Sequence, residues 1–468
     1  MKNIKKVAGL SPQGASMGPG LELEFLEPLG LEYILGVAKE KGCDADLFTL
    51  YKQSEKETIE KIVNYNPEVL AVSCMTPQYK AGLKMAKEIK ERLPNLKVVF
   101  GGYHPSFDPH IVNEKSIDFC VRGEGEQTFG ELLDYFDKDN FDYDKIKGIS
   151  YLKNGKVIAT EQRSRIQNLD ELPLPVRPQF LKELKNYGLT YPAPPDQVGF
   201  ASLDYSRGCS FACDFCASPN ILGRNISWKS KERMVTEIKE LHEKDGIHNF
   251  YFTDLNFTAN KDKVRELCNE LVASKIKIYW ECMSNIATAD DSELLNLMWK
   301  AGCRKIGWGV EAVDENSLKQ MNKPQNVDMA PRVLKKAEDV GILNTGFYMI
   351  GIPSQNSEEI LKSSKLLNEL PLHRLRVTLY TPIQGSNLYS REKEKLSKDT
   401  DLFDTQHLVF KHPSIDDSQM EDLRMKVTKD FYKSNAYQNR ARDLIKKFPE
   451  YRGSFDEYLS GLDIKIKY

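Results

Sequence analysis

Two periods of hydrophobic and polar positions alternate along this chain, in two separate blocks. In the first, over residues 1–143, short apolar runs at 6–10, 45–50, 69–74, 97–100 and 119–122 are interleaved with helical apolar spacing at 29–41, 56–65, 79–93 and 127–136. A short apolar run without polar alternation reads as a strand buried on both faces, and the longer period reads as a helix laid against it. The block is therefore expected to form a doubly wound, Rossmann-like parallel sheet, with its ligand site beyond the carboxyl ends of the strands. The second block, 200–396, opens on an extended run at 200–205. It continues with strands at 249–253, 278–282, 305–310, 344–350 and 374–380, separated by helices at 231–244, 261–274, 292–301, 331–340 and 358–369.

Between the blocks, 144–199 reads as a connector. It carries a hairpin, 149–152 with 157–160, turning at Asn154-Gly155, and then a proline-dense tether with Pro173, Pro175, Pro192, Pro194 and Pro195. The tail, 397–468, is extended at 407–413 and helix-rich over 416–448, with Asp416, Asp417 and Ser418 as caps. Its aromatics Phe431, Tyr432 and Tyr437 either line a cavity or pack the tail onto the preceding block.

Composition narrows the function classes. A chain of 468 residues has room for about three domains. Its 66 basic and 68 acidic residues are interspersed and leave a net charge of −2, which offers no footprint for nucleic acid. The apolar run at 7–10 is too short for a signal peptide, and no stretch approaches a membrane span. The expected setting is cytoplasmic and reducing, which suits free thiols.

Three of the nine cysteines fall in Arg207-Gly208-Cys209-Ser210-Phe211-Ala212-Cys213-Asp214-Phe215-Cys216, spaced C-x3-C-x2-C just after the extended run. A short loop can present three thiolates to one face of an iron–sulfur cube, each to a different iron, leaving one corner open for a small molecule. A zinc knuckle commonly uses paired C-x2-C units, and neither a second pair nor a nearby His is present. Three unrelated buried thiols is the other alternative. The remaining cysteines, Cys43, Cys74, Cys120, Cys268, Cys282 and Cys303, are scattered and read as small core residues.

The loop resembles that of the radical S-adenosylmethionine (SAM) enzymes. The resemblance implies that Cys209, Cys213 and Cys216 hold a 4Fe-4S cluster whose open iron is chelated by SAM. It also implies a partial (β/α)6 barrel over 200–396, with the site at the carboxyl ends of its strands. In that frame Phe215, Asp254, Asn285, Glu311, Ile352, Pro353 and Pro382 are the expected SAM contacts: Asp254 for the ammonium, Glu311 in Gly307-Trp308-Gly309-Val310-Glu311 for ribose or the amino-acid moiety, and Ile352, Pro353 and Pro382 near adenine. Relatives often carry an arginine near Asn285 for the SAM carboxylate. Here that partner is left between Asn285, Arg304, Lys305 and Lys323.

The first block resembles the cobalamin-binding domain that precedes many radical SAM cores. The match is carried by Pro28-Leu29-Gly30-Leu31, by Gly101-Gly102 with His104-Pro105-Ser106, and by Arg122-Gly123-Glu124-Gly125-Glu126. The resemblance makes Ser73, Thr76, Gly101, Gly102, His104, Gly123, Glu124 and Gly125 the expected cobalamin contacts. The D-x-H-x-x-G signature of other cobalamin proteins is missing from 11–20, so the lower cobalt face is expected to lack histidine, and His104 to serve as a turn-positioning residue.

Together these resemblances imply a cobalamin-dependent radical SAM methyltransferase. Reductive cleavage of SAM would give a 5′-deoxyadenosyl radical, and methylcobalamin would methylate an unactivated carbon. The alternatives are a non-methylating cyclisation, oxidation or carbon–carbon coupling, and a non-catalytic cobalamin carrier or sensor. The implied partners are an electron donor such as flavodoxin or ferredoxin and a tetrapyrrole, lipid, peptide or small-molecule substrate.

Overall fold

The computed structural model describes residues 4–12, 27–51, 53–136, 141–178, 181, 199–460, 462 and 464–466. Most of the loop after the first strand, and the prolines at 192, 194 and 195, lie outside the described residues.

The first unit is a seven-stranded sheet in the order β2-β1-β3-β4-β5-β6-β7. Strands β1 (Lys6–Ser11), β2 (Asp44–Thr49), β3 (Val69–Ser73), β4 (Lys97–Gly101) and β5 (Phe119–Val121) are parallel. Their side chains feed two apolar layers. Val7, Ala71 and Val99 face the helices Leu29–Glu40 and Glu126–Tyr135, while Leu10, Leu70, Val72 and Phe100 face Glu55–Tyr65 and Tyr79–Arg92. This two-sided burial is why β1, β3, β4 and β5 read as apolar runs, whereas the edge strand β2 alternates exposed and buried positions. Chain order reverses between β1 and β3, the switch point beside which such sheets bind ligands.

The Asn154-Gly155 hairpin forms, as β6 (Ile149–Lys153) and β7 (Lys156–Ala159), but it is not part of a free connector. β6 pairs antiparallel with β5, so the hairpin extends the first sheet. The buried Ile149 and Tyr151 fix it there by joining the apolar layer that contains Phe119.

The second unit is a six-stranded, all-parallel sheet in the order β15-β14-β13-β12-β11-β8. Its members are β8 (Phe200–Leu203), β11 (Asn249–Phe252), β12 (Tyr279–Ser284), β13 (Cys303–Glu311), β14 (Leu343–Ile350) and β15 (Arg374–Leu379). A two-stranded ribbon of β9 (Ser206–Arg207) and β10 (Ser227–Trp228) brackets the cysteine loop. Six parallel strands in chain order with helices between them make the partial (β/α)6 barrel.

The tail supplies the outer layer beyond β15. Asp416 opens the helix Asp417–Lys433 through a capping box with Gln419, and Asn435–Lys447 follows. Phe431, Tyr432 and Tyr437 are buried and pack on one another, Tyr432 edge to face with both of the others. The Tyr432 hydroxyl accepts from the Leu375 amide at 2.7 Å and donates to the Leu375 carbonyl at 3.1 Å, while that of Tyr437 donates to the His373 carbonyl at 3.3 Å. These aromatics therefore clamp the tail to the edge of the barrel rather than line a cavity. No helix of the described residues is long and apolar enough to cross a membrane.

Candidate functional site

The cysteine loop leaves β9 at Gly208, whose φ of +115° and close approach to the Asn225 carbonyl, 2.8 Å from where a Cβ would sit, admit only glycine. The loop is then pinned from several sides. The Cys209 amide donates to Gly223 (3.0 Å), the Asp214 amide to Met321 (3.0 Å) and the Leu388 amide to Asp214 (2.9 Å), while Asn322 Nδ2 donates to Ala212 (2.8 Å). Cys209, Cys213 and Cys216 are free and partly exposed, whereas the six other cysteines are buried.

Burial pushes the Cys209 thiol up and the Cys213 thiol up to about 11, and the neighbouring Cys216 raises both further. Among the described residues no three His, Cys, Asp or Glu close around one ion. Three thiols in one loop suit a cube whose corners are separate irons. Bound iron would hold all three as thiolates.

The barrel rim puts Glu311 and Lys323 beside this loop. Glu311 follows a bulge in β13 and takes φ +61°, a left-handed conformation costly for a residue with a Cβ. Its Oε1 accepts from Lys323 Nζ at 2.8 Å. Gly309 leaves room for the pair, since a Cβ there would meet Glu311 Oε1 at 2.5 Å and Lys323 Nζ at 2.6 Å. The buried Lys323 ammonium also acts on Cys213 and Cys216.

The two other candidate cations lie elsewhere. Arg304 donates to the Trp299 and Cys303 carbonyls and stacks on Trp299 and Tyr279, and Lys305 pairs with Glu281. The Asn285 side chain caps its own turn by accepting from the Ala287 amide at 2.9 Å. Phe215 and Ile352 join one apolar cluster with Ala312, Met321, Met349 and Tyr380. Pro382 is buried beside that cluster and Pro353 is exposed.

Asp254 lies just past the end of β11. It is buried, and its two oxygens accept from the Tyr205 amide (3.0 Å) and the Ser206 hydroxyl. The carboxyl thus staples the strand leading into the cysteine loop, and burial pushes it up to about 7.

At the ends of the first sheet, Ser106 laces two glycine turns together. Its hydroxyl donates to the Gly102 carbonyl (2.6 Å) and accepts from the Gly123 amide (2.9 Å). Gly102, at φ +95°, lies so close to Cys74 and Ser73 that a Cβ would meet three of their atoms at 2.9–3.0 Å. Gly101, Ser73 and Thr76 lie on the same rim, and Gly123 takes φ +81°. Glycine turns laced along the carboxyl-end rim of the sheet fit a large flat corrinoid approaching the backbone. Gly125 is tight against Ile34, so glycine is needed there for helix packing.

His104 is buried, and its ring stacks on Tyr79 at 4.3 Å between centroids. Its amide donates to the Cys74 carbonyl at 3.3 Å, which holds the loops after β3 and β4 together. Glu124 is spent across the domain boundary, accepting from Arg207 (3.1 Å) and the Ile166 amide (2.8 Å).

The two rims face each other. Tyr103, after β4, donates to Ser218, just past the cysteine loop, at 3.1 Å. Asn220 donates to the Gly385 carbonyl, after β15, at 2.6 Å, and Gly385 is packed so tightly on Phe107 that a Cβ would meet three of its ring carbons at 2.2–2.5 Å. Sequence reasoning missed Tyr103, Phe107 and the charged group around Arg207, Asp204 and Lys229. Their partners lie tens of residues away, and no local spacing announces them.

Residues 24–133 match the B12 binding domain and residues 203–367 the radical SAM superfamily. An uncharacterized methyltransferase of Pyrococcus horikoshii is 30% identical over 365 residues, 77% of either chain. The anaerobic magnesium-protoporphyrin IX monomethyl ester cyclase of Rubrivivax gelatinosus is 27% identical over 428 residues, 88% of this chain and 74% of the cyclase. The fold matches that of the cobalamin-dependent SAM radical enzyme OxsB with aqua-cobalamin bound (TM-score 0.73, 15% identity, 97% of this chain and 72% of that one). It also matches the methyltransferase TsrM of Kitasatospora setae with cobalamin and a [4Fe-4S] cluster bound (TM-score 0.67, 15% identity, 84% and 78%). With both domains in this order and the glycine rim turned toward the cysteine loop, the chain belongs to the cobalamin-dependent radical SAM enzymes.

Proposed function

We propose that the chain is a methyltransferase acting on an unactivated carbon, with the cluster on Cys209, Cys213 and Cys216. When bound, the cluster and SAM supply a 5′-deoxyadenosyl radical, and methylcobalamin supplies the methyl group; the protein aims these groups and keeps water away. In this reading Lys323 holds the SAM carboxylate beside the open iron, Glu311 accepts from the ribose or ammonium, and Phe215, Ile352 and Pro382 form the apolar wall toward adenine. The glycine turns at 101–102 and 123–125 hold the corrinoid, with Ser73 and Thr76 as hydroxyl partners for its amide arms.

The observation that carries the reading is the approach of the two rims, through the Tyr103–Ser218 hydrogen bond and the packing of Phe107 on Gly385, which supports a corrinoid and a SAM-bound cluster sharing one site. The similarity to a methyltransferase at 30% identity supports the methylating outcome. A second reading, oxidative cyclisation without methyl transfer, is favoured by the cyclases, which align over 82–88% of this chain at 26–27% identity.

Anaerobic incubation with methyl-labelled SAM and acceptors of the tetrapyrrole, lipid, peptide and small-metabolite classes separates the two. Label in the acceptor supports methylation. An altered but unlabelled acceptor, formed with 5′-deoxyadenosine, replaces it with the second reading.

A further inference from the structure

Immediately before the first cluster cysteine, a charged group is buried between the two units. Arg207 Nη1 lies 3.1 Å from Glu124, on the turn after β5, and 2.7 Å from Glu126, which opens the helix that follows, and its Nε donates to Asp204 at 2.8 Å. Its guanidinium also stands 5.2 Å from the centre of the Tyr33 ring, on a helix of the first unit. Tyr33 donates in turn to Asp204 at 2.5 Å and accepts from the fully buried Lys229 at 2.8 Å. One cation therefore has carboxylate partners on both sides of the boundary, in surroundings with little water to screen them.

The bonds continue at either end. Glu124 lies between Gly123 and Gly125, and the Gly123 amide is tied through Ser106 to Gly102. On the other side, Arg207 is followed by Gly208, whose geometry is fixed by its contact with Asn225, and then by Cys209. An unbroken path of short contacts thus runs from the glycine rim of the first sheet to the first cysteine of the loop. The path does more than dock two domains, because its central residue stands two positions before a cysteine ligand.

We propose that Arg207 is a positioning residue that fixes the separation of the two cofactors, by tying the cysteine loop to the Glu124–Glu126 turn. The inference rests on the two-cofactor reading above. A planar guanidinium held by three carboxylates through two of its nitrogens defines direction as well as distance, which an ammonium does only in part and an amide does not.

The test is electron paramagnetic resonance of the full chain loaded with cluster and cob(II)alamin, with the cluster reduced. The dipolar splitting between the two spins falls with the cube of their separation. The wild-type protein is expected to show one resolved splitting. Arg207→Gln, checked for iron and cobalt content, is expected to lose it to a broad unresolved envelope, and Arg207→Lys to recover part of it. Glu126→Gln removes one arm while leaving Arg207 on Asp204 and Glu124, so a broadened splitting there keeps the test usable if Arg207→Gln does not fold. A wild-type splitting in a folded, doubly loaded Arg207→Gln overturns the proposal, as does a doubly loaded wild type with no measurable splitting. A wild-type protein that takes up only one cofactor, or neither, contradicts the functional reading instead.

Discussion

Asp254 offers a prediction whose sign and size follow from its surroundings. Its carboxyl is buried at the end of β11, where lost hydration outweighs the help of Ser206 and the Tyr205 amide, and nearby Asp204 raises it further. The folded value of about 7 stands above the ordinary 3.8, so the fold favours the protonated form. A group raised in this way contributes stability that is complete below the unfolded value and is lost as pH rises through the folded one. About three units at 1.36 kcal/mol each come to about 4 kcal/mol, of which about 2 kcal/mol falls between roughly pH 5.5 and 8.5. In Asp254→Asn a neutral amide still accepts from Tyr205 and donates to Ser206, and the titration disappears. Thermal unfolding of both proteins across that range should show the wild type losing about 4–8 °C relative to the variant as pH rises. Parallel curves for the two proteins would refute the argument, and would mean that Asp254 is ionised in the fold at no cost.

Three further perturbations have expected outcomes. Lys323→Met should weaken SAM binding to the cluster-loaded protein about ten- to a hundredfold by calorimetry, since one charge-assisted contact is worth about 1.5–3 kcal/mol. Gly102→Ala forces a Cβ against Cys74 at φ +95°; a left-handed backbone alone costs about 1–2 kcal/mol, and corrinoid uptake followed by absorbance should fall with it. Tyr432→Phe leaves the buried Leu375 amide without its acceptor and should lower stability by about 1–3 kcal/mol in denaturant titration, with corrinoid uptake unchanged.

Much of the fold is legible in the chain because the parallel strands of both sheets are covered by helices, so central ones such as β3 and β4 stand out as apolar runs. The expected strands at 6–10, 69–74 and 344–350 differ from the observed ones by a residue at one end. The Asn154-Gly155 turn announces a hairpin but not what the hairpin pairs with, because strand pairing is set by distant partners such as Phe119. The two-residue ribbon of β9 and β10 is too short to have a period, and the short helix Glu315–Gln320, capped by Asp314, hides in a polar stretch. The cysteine triad is visible because three ligands share one loop. Lys323 becomes distinguishable from Arg304 and Lys305 only once the bulge in β13 brings Glu311 to meet it. Asp254 sits at a strand end, as its motif indicated, but its burial turns the carboxyl toward Tyr205 and Ser206.

The central claim is that one chain carries an iron–sulfur cluster with a vacant corner facing a corrinoid. Its most direct test is metal analysis of protein reconstituted anaerobically with iron, sulfide and hydroxocobalamin, then freed of excess reagents. The account predicts about four iron and about one cobalt per chain, with the iron lost and the cobalt retained in Cys213→Ser. Iron that survives that substitution, or cobalt that washes away from the wild type, would contradict it.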